Sequence, residues 1–168
     1  MVLDDEKFMH LALAEAEKAY ELGEVPIGAV LVDEDGTVVS VGHNLRERDK
    51  DATAHAEMEA IRAANKRLDR WRLSGTTLYV TIEPCPMCAG AIVNSRIDRV
   101  VYGGADVKAG AVHSIFNVLT NPNLNHQVEV TAGVLEDECA GIMKRFFKFR
   151  RQQNKEKKVR LDRNRHKE

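Results

Sequence analysis

The sequence predicts one α/β domain layered on a mixed sheet. Three observations carry that expectation: two short β-rich runs near the start are joined by turn residues, later strands alternate with helical segments, and no internal repeat or interdomain linker interrupts the chain. The 168 residues suit a single domain with a full core, assigned to residues 1–152, and a composition of 43% hydrophobic and 30% charged residues is that of an ordinary globular protein.

The elements follow in order. Asp4 to Leu22 reads as an amphipathic helix, because Phe8, Leu11, Ala12, Glu15, Ala19 and Leu22 recur near helical spacing, acids fill the first turn and Gly23 stops it. Ile27 to Val32 and the β-rich Thr37 to Val41 flank the turn Asp33-Glu34-Asp35-Gly36 and form a hairpin. A helix is expected over Thr53–Leu68 and a strand over Thr76–Ile82. Pro86 then opens a helix that runs to Asn94. Arg99–Gly103 is a strand, Ser114–Leu119 a short helix after a Gly/Ala-rich loop, Val128–Thr131 a last strand, and Leu135–Gln152 a long helix. Residues 153–168 lack apolar periodicity beyond Val159 and Leu161 and are expected to be poorly ordered or weakly helical.

Charge and cysteine usage narrow the function classes. No apolar run approaches the roughly 20 residues a membrane span needs, and the acidic start Met1-Val2-Leu3-Asp4-Asp5-Glu6 is unlike a basic targeting peptide, so a cytoplasmic protein is expected. Three Cys is an odd count that favours a metal site over a disulfide framework. The net charge of −1 hides an asymmetry: Lys144 to Glu168 holds 12 basic and 3 acidic residues, against 13 and 23 in the rest of the chain. A basic end on an acidic body is either a nucleic-acid footprint or a solvated terminus.

The chemistry sits in His55-Ala56-Glu57 and Pro84-Cys85-Pro86-Met87-Cys88. Cys85 and Cys88, at i and i+3, share one helical face at a helix N-terminus, where the dipole favours thiolate. With His55 they supply three zinc ligands and leave a fourth position open for water, as catalytic sites do. Glu57, two residues from His55, points elsewhere around the helix and is read as the acid–base group that moves the proton of that water. A closed structural zinc site would need a fourth protein ligand. Cys139, the remaining cysteine, lies among core-like neighbours of the last helix and does not supply it.

The spacing H-x-E … P-C-x-x-C resembles the signature of zinc-dependent nucleobase deaminases. Thr53–Glu57 and Glu83–Ala91 carry it, and Ser95-Arg96-Ile97, Val101-Tyr102-Gly103, Asp106–Ala111, Asn123–His126 and the Phe146–Arg151 end extend it. Over nearly the whole chain these stretches resemble the bacterial tRNA-specific adenosine deaminases of the cytidine/deoxycytidylate deaminase superfamily. The resemblance implies a three-layer α/β/α cytidine-deaminase-like fold with a central mixed five-stranded sheet and one Zn2+ per subunit. It also implies a homodimer, a tRNA anticodon stem-loop as partner, and hydrolytic deamination of the wobble adenosine to inosine. By the same resemblance Asn44 reads the purine, Val25 and Pro26 wall the pocket, and Asp106, Lys108 and Asn125 lie near flanking nucleotides. Phe147, Phe149, Arg150 and Arg151 then form an RNA surface. From the residues alone Asn44 and Asp106 also read as turn caps and the phenylalanines as core. The zinc motif would equally fit a free-base or nucleoside deaminase for guanine or cytosine, and a zinc-stapled RNA-binding protein without turnover is the reading from another class.

Overall fold

The computed structural model describes residues 2–167. Helix α1 (Asp5–Glu21) is capped by Asp4, whose carboxylate accepts the Lys7 N–H at 3.1 Å. Strands β1 (Gly28–Val32) and β2 (Val38–His43) form the expected hairpin. A one-turn helix α2 (Arg46–Asp49), not anticipated from the sequence, leads to α3 (Ala56–Leu68). Then come β3 (Thr77–Ile82), α4 (Pro86–Asn94), β4 (Arg99–Gly104), β5 (Glu129–Ala132) and α5 (Glu136–Arg165).

The five strands make one mixed sheet in the order β2-β1-β3-β4-β5. β1 pairs antiparallel with β2 and β3, whereas β3, β4 and β5 run parallel. Period-two alternation splits the core in two. Ala29, Leu31, Leu78, Val80, Val100 and Tyr102 face α3 and α4. Val30, Val32, Tyr79 and Val101 face α1 and Cys139 of α5. The result is a three-layer α/β/α domain, as the family resemblance implies.

The helices lie close to the sheet because glycine and alanine let them. A Cβ on Gly42 would sit 2.3 Å from the Ala56 carbonyl oxygen at the start of α3. The same economy turns α1: it buries Met9 and Ala16 with Phe8, Ala12, Glu15 and Ala19, while Leu11 and Leu22, assigned to its apolar face from spacing, are exposed.

Two further expectations are corrected. Ser114–Leu119 is a run of turns, not a short helix. Its approach is bent because the Glu83 carboxylate accepts the successive N–H groups of Val112, His113 and Ser114, and Ile115 and Phe116 both donate to the Gly110 carbonyl. The segment after Gln153, expected to be poorly ordered or weakly helical, continues α5 to Arg165 and is fully exposed.

Candidate active site

Two helix starts bring the metal-binding side chains together. His55 is the N-cap of α3, and Cys85 is the N-cap of α4 with Pro86 at its first position. His55 Nδ1 lies 3.6 Å from both the Cys85 and Cys88 Sγ atoms. All three donor atoms fall within 4.8 Å of one another. The hydrogen bond from Cys88 holds the Cys85 thiol at about 4, against the effect of burial and with His55 assisting. Cys88, as the donor of that bond, is pushed up. Two soft sulfur donors and one imidazole, gathered by a pair of helix starts, are the donor chemistry of zinc.

Glu57 stands in the first turn of α3 and is buried. Burial raises its carboxyl above the usual range, while the Cys88 thiol and His55 pull the other way. With His55 and Cys85 it lines a cavity of about 640 Å3, within the range that holds a small ligand. The cavity opens beyond the C-terminal ends of β3 and β4, where Ile82, Glu83, Gly104 and Ala105 also line it. Parallel strands in α/β sheets commonly present their ligands at that end.

The other anticipated residues divide. Val25, Asn44, Asp106, Lys108 and Phe147 line the cavity. Pro26 does not: it is buried behind the wall, and its neighbour Ile27 takes the lining position. Asn125 is exposed and away from the lining, as are Phe149, Arg150 and Arg151. Phe149 and Arg150 instead border a separate cleft with Tyr20 and Phe146, where the Arg150 guanidinium sits 5.5 Å from the Phe146 ring centre. Phe146 is the core phenylalanine of α5.

Asn44 and Asp106 are turn caps and lining residues at once. The Asn44 side chain accepts the Arg46 N–H at 3.1 Å and donates to the Val25 carbonyl at 3.3 Å. Each amide atom keeps one further hydrogen-bonding position. Asp106 accepts the N–H groups of Lys108 and Ala109 at 3.0 and 3.1 Å.

Glu83 was missed by sequence reading and organises the far wall. Its buried carboxylate accepts the N–H groups of Asp106, Val112, His113 and Ser114 and the Ser114 hydroxyl. Burial alone would raise its carboxyl, but these donors outweigh it and hold it at about 2. Gly110 makes the approach possible, since a Cβ there would lie 2.4 Å from the carboxyl carbon. The visible signal was an acid following a β-rich run, directly before Pro-Cys. The loop that would satisfy it was not visible.

Residues 3–104 match the cytidine and deoxycytidylate deaminase zinc-binding region. A tRNA-specific adenosine deaminase of Bacillus subtilis is 52% identical over 151 residues, spanning 90% of this chain and 93% of its own length. The chain belongs to the tRNA-specific adenosine deaminase family. Another tRNA-specific adenosine deaminase, from Haemophilus influenzae, is 48% identical over 94% of this chain and 91% of its own. A solved structure from studies of A-to-I editing by tRNA:A34 deaminases at the wobble position of transfer RNA superposes with a TM-score of 0.77 at 48% identity. It covers 81% of this chain and 98% of the other. The zinc-binding region of this tRNA-specific adenosine deaminase family member contains His55, Cys85 and Cys88, and zinc is the metal these residues fit.

Proposed function

We infer that this protein hydrolytically deaminates adenosine to inosine at the wobble position of a tRNA anticodon. The observation that carries the inference is the buried Glu57 beside the His55, Cys85 and Cys88 donors in a cavity sized for a base, in a chain 52% identical to a tRNA-specific adenosine deaminase. Zinc held by those three residues supplies a Lewis acid that brings the pKa of a water toward neutrality. The chain does the rest. Glu57 takes a proton from the attacking water and passes it to the purine ring nitrogen, then carries the remaining hydroxyl proton to the amine, which departs as ammonia as the C=O forms. Water and adenosine are consumed, and inosine and ammonia leave. Val25 and Ile27 offer an apolar wall to the ring. The free hydrogen-bonding positions of Asn44 meet the purine edge.

An anticodon loop suits such a cavity because its bases are unpaired and cheap to splay. Asp106 and Lys108 border the cavity where flanking nucleotides would lie, with Asn125 further out, and Phe147 offers a stacking face at the mouth. Phe149, Arg150 and Arg151 extend that RNA surface. The protein is proposed to act as a homodimer, with the exposed Ile115 and Phe116 as the apolar surface a second copy would cover. Its work belongs in the cytoplasm. Among the described residues no helix is long and apolar enough to cross a membrane.

The test is inosine formation in an unmodified adenosine-bearing anticodon stem-loop, with Glu57→Ala as control. Inosine from the native protein and a loss of about 10²–10⁴-fold in the variant, with zinc retained, is the expected result. No inosine from protein holding one zinc per chain would transfer the reading to a guanine or cytosine deaminase.

A further inference from the structure

Helix α5 is about 45 Å long, and its two halves serve different surroundings. Cys139, Ile142 and Phe146 are buried against the body. From Phe147 to Lys167 every described residue is exposed. From Lys144 onward, six of the twelve Lys and Arg residues fall in one row. Lys144, Lys148, Arg151, Lys155, Lys158 and Arg165 follow one another in steps of three and four residues, with Asp162 the single interruption. At about 100° per residue they fall within an arc of roughly 100°. That arc lies on the side of α5 away from the buried Cys139, Ile142 and Phe146.

This stripe begins at the active site. Lys144, its first member, lines the 640 Å3 cavity, as does Phe147 on the same side of the helix. The row therefore leads from the cavity mouth outward for about 30 Å. Like charges at i,i+4 destabilise an isolated helix, so such a row calls for an anion along its length. Val159 and Leu161 stand on different sides of the helix, so the segment has no apolar face with which to lie in a lipid surface.

We propose that this stripe is an electrostatic arm for the phosphate backbone of the RNA whose loop enters the cavity. Lys155, Lys158 and Arg165 would contact phosphates outside the anticodon loop itself. The proposal rests on the tRNA deaminase reading, and it names a surface of the chain beyond the cavity and its rim.

Two triple variants test it. K155Q/K158Q/R165Q empties the outer stripe. K157Q/R160Q/R163Q removes the same charge from the part of the helix outside that arc. Kd for full-length tRNA and inosine formation are measured separately over a salt series. The stripe variant is expected to bind about tenfold more weakly at low salt, with a salt slope shallower by about 2 and kcat unchanged. The control triple is expected to lose markedly less. Equal losses in the two triples would overturn the arm and leave only bulk charge. A stripe-specific loss on anionic phospholipid vesicles but not on tRNA would overturn RNA as the occupant. Absence of inosine from the native protein would sink the deaminase reading, while the affinity difference would still judge the stripe.

Discussion

Cys85 and Cys88 stand on the first turn of a regular helix, whereas Asp106 and Lys108, which line the same cavity, stand on a loop shaped by one buried carboxylate. In the first region local rules suffice. A proline at the first helical position and an i,i+3 spacing aim two thiols the same way whatever lies around them. In the second, residues 105–128 contain no helix or strand, and their path depends on Glu83 reaching across from the end of β3 to four N–H groups and a hydroxyl. The metal-binding group is thus mounted on regular elements, and the far wall of the cavity is mounted on a tether.

The most severe break comes from the regular side. Cys88→Ser removes one of two sulfur donors, and zinc content and inosine formation should both fall below detection. Retention of one zinc per chain in that variant would contradict the donor set. Breaking the tether should act on stability first. Glu83→Gln presents an NH2 to donors that need an acceptor, leaving buried N–H groups unpaired at a cost of about 3 kcal/mol, or roughly 10 °C in Tm. Zinc should remain bound, and proteolysis within residues 105–128 should quicken. An unchanged Tm and cleavage pattern would show that the loop holds itself.

The same contrast explains what could be read in advance. The hairpin, the alternation of later strands with helices and the gathering of His55, Cys85 and Cys88 were legible because turn residues, helical spacing and helix-start signals are local. The Ser114–Leu119 helix was misjudged because a carboxylate some thirty residues earlier captures the N–H groups leading into it. Pro26 and Ile27 differ by one position, and only the packed structure decides which of them faces the cavity. The reach of α5 was underestimated because apolar periodicity was sought in a segment that the structure leaves fully exposed.

A milder change tests whether the far side of the sheet is independent of the site. Asp5 accepts two hydrogen bonds from the Arg99 guanidinium and one from the Tyr79 hydroxyl, each 2.8 Å. Arg99 holds its carboxyl below the ordinary 3.8, against the opposing effect of burial. A depressed folded-state pKa contributes stability that is fully present above the unfolded value and fades as pH falls through the folded one. Asp5→Asn should therefore lower Tm by roughly 5 °C at neutral pH, for a loss of about 1–2 kcal/mol. The gap between variant and native protein should stay level above pH ~5 and close below pH ~4, with kcat unmoved. A gap that widened in acid, or a change in kcat, would join this cluster to the active site.

Gly42 carries a further consequence. The missing methyl group at this position is what lets the Ala56 carbonyl come so near β2, and Ala56 separates His55 from Glu57. The depth at which Glu57 sits is thus set by a methyl group that is absent, on a strand that carries none of the His55, Cys85 and Cys88 donors. A mutational library ranked by distance from the chemistry would treat position 42 as free to drift. Selection for turnover would return it to glycine, and would do so without any change in the residues that line the cavity.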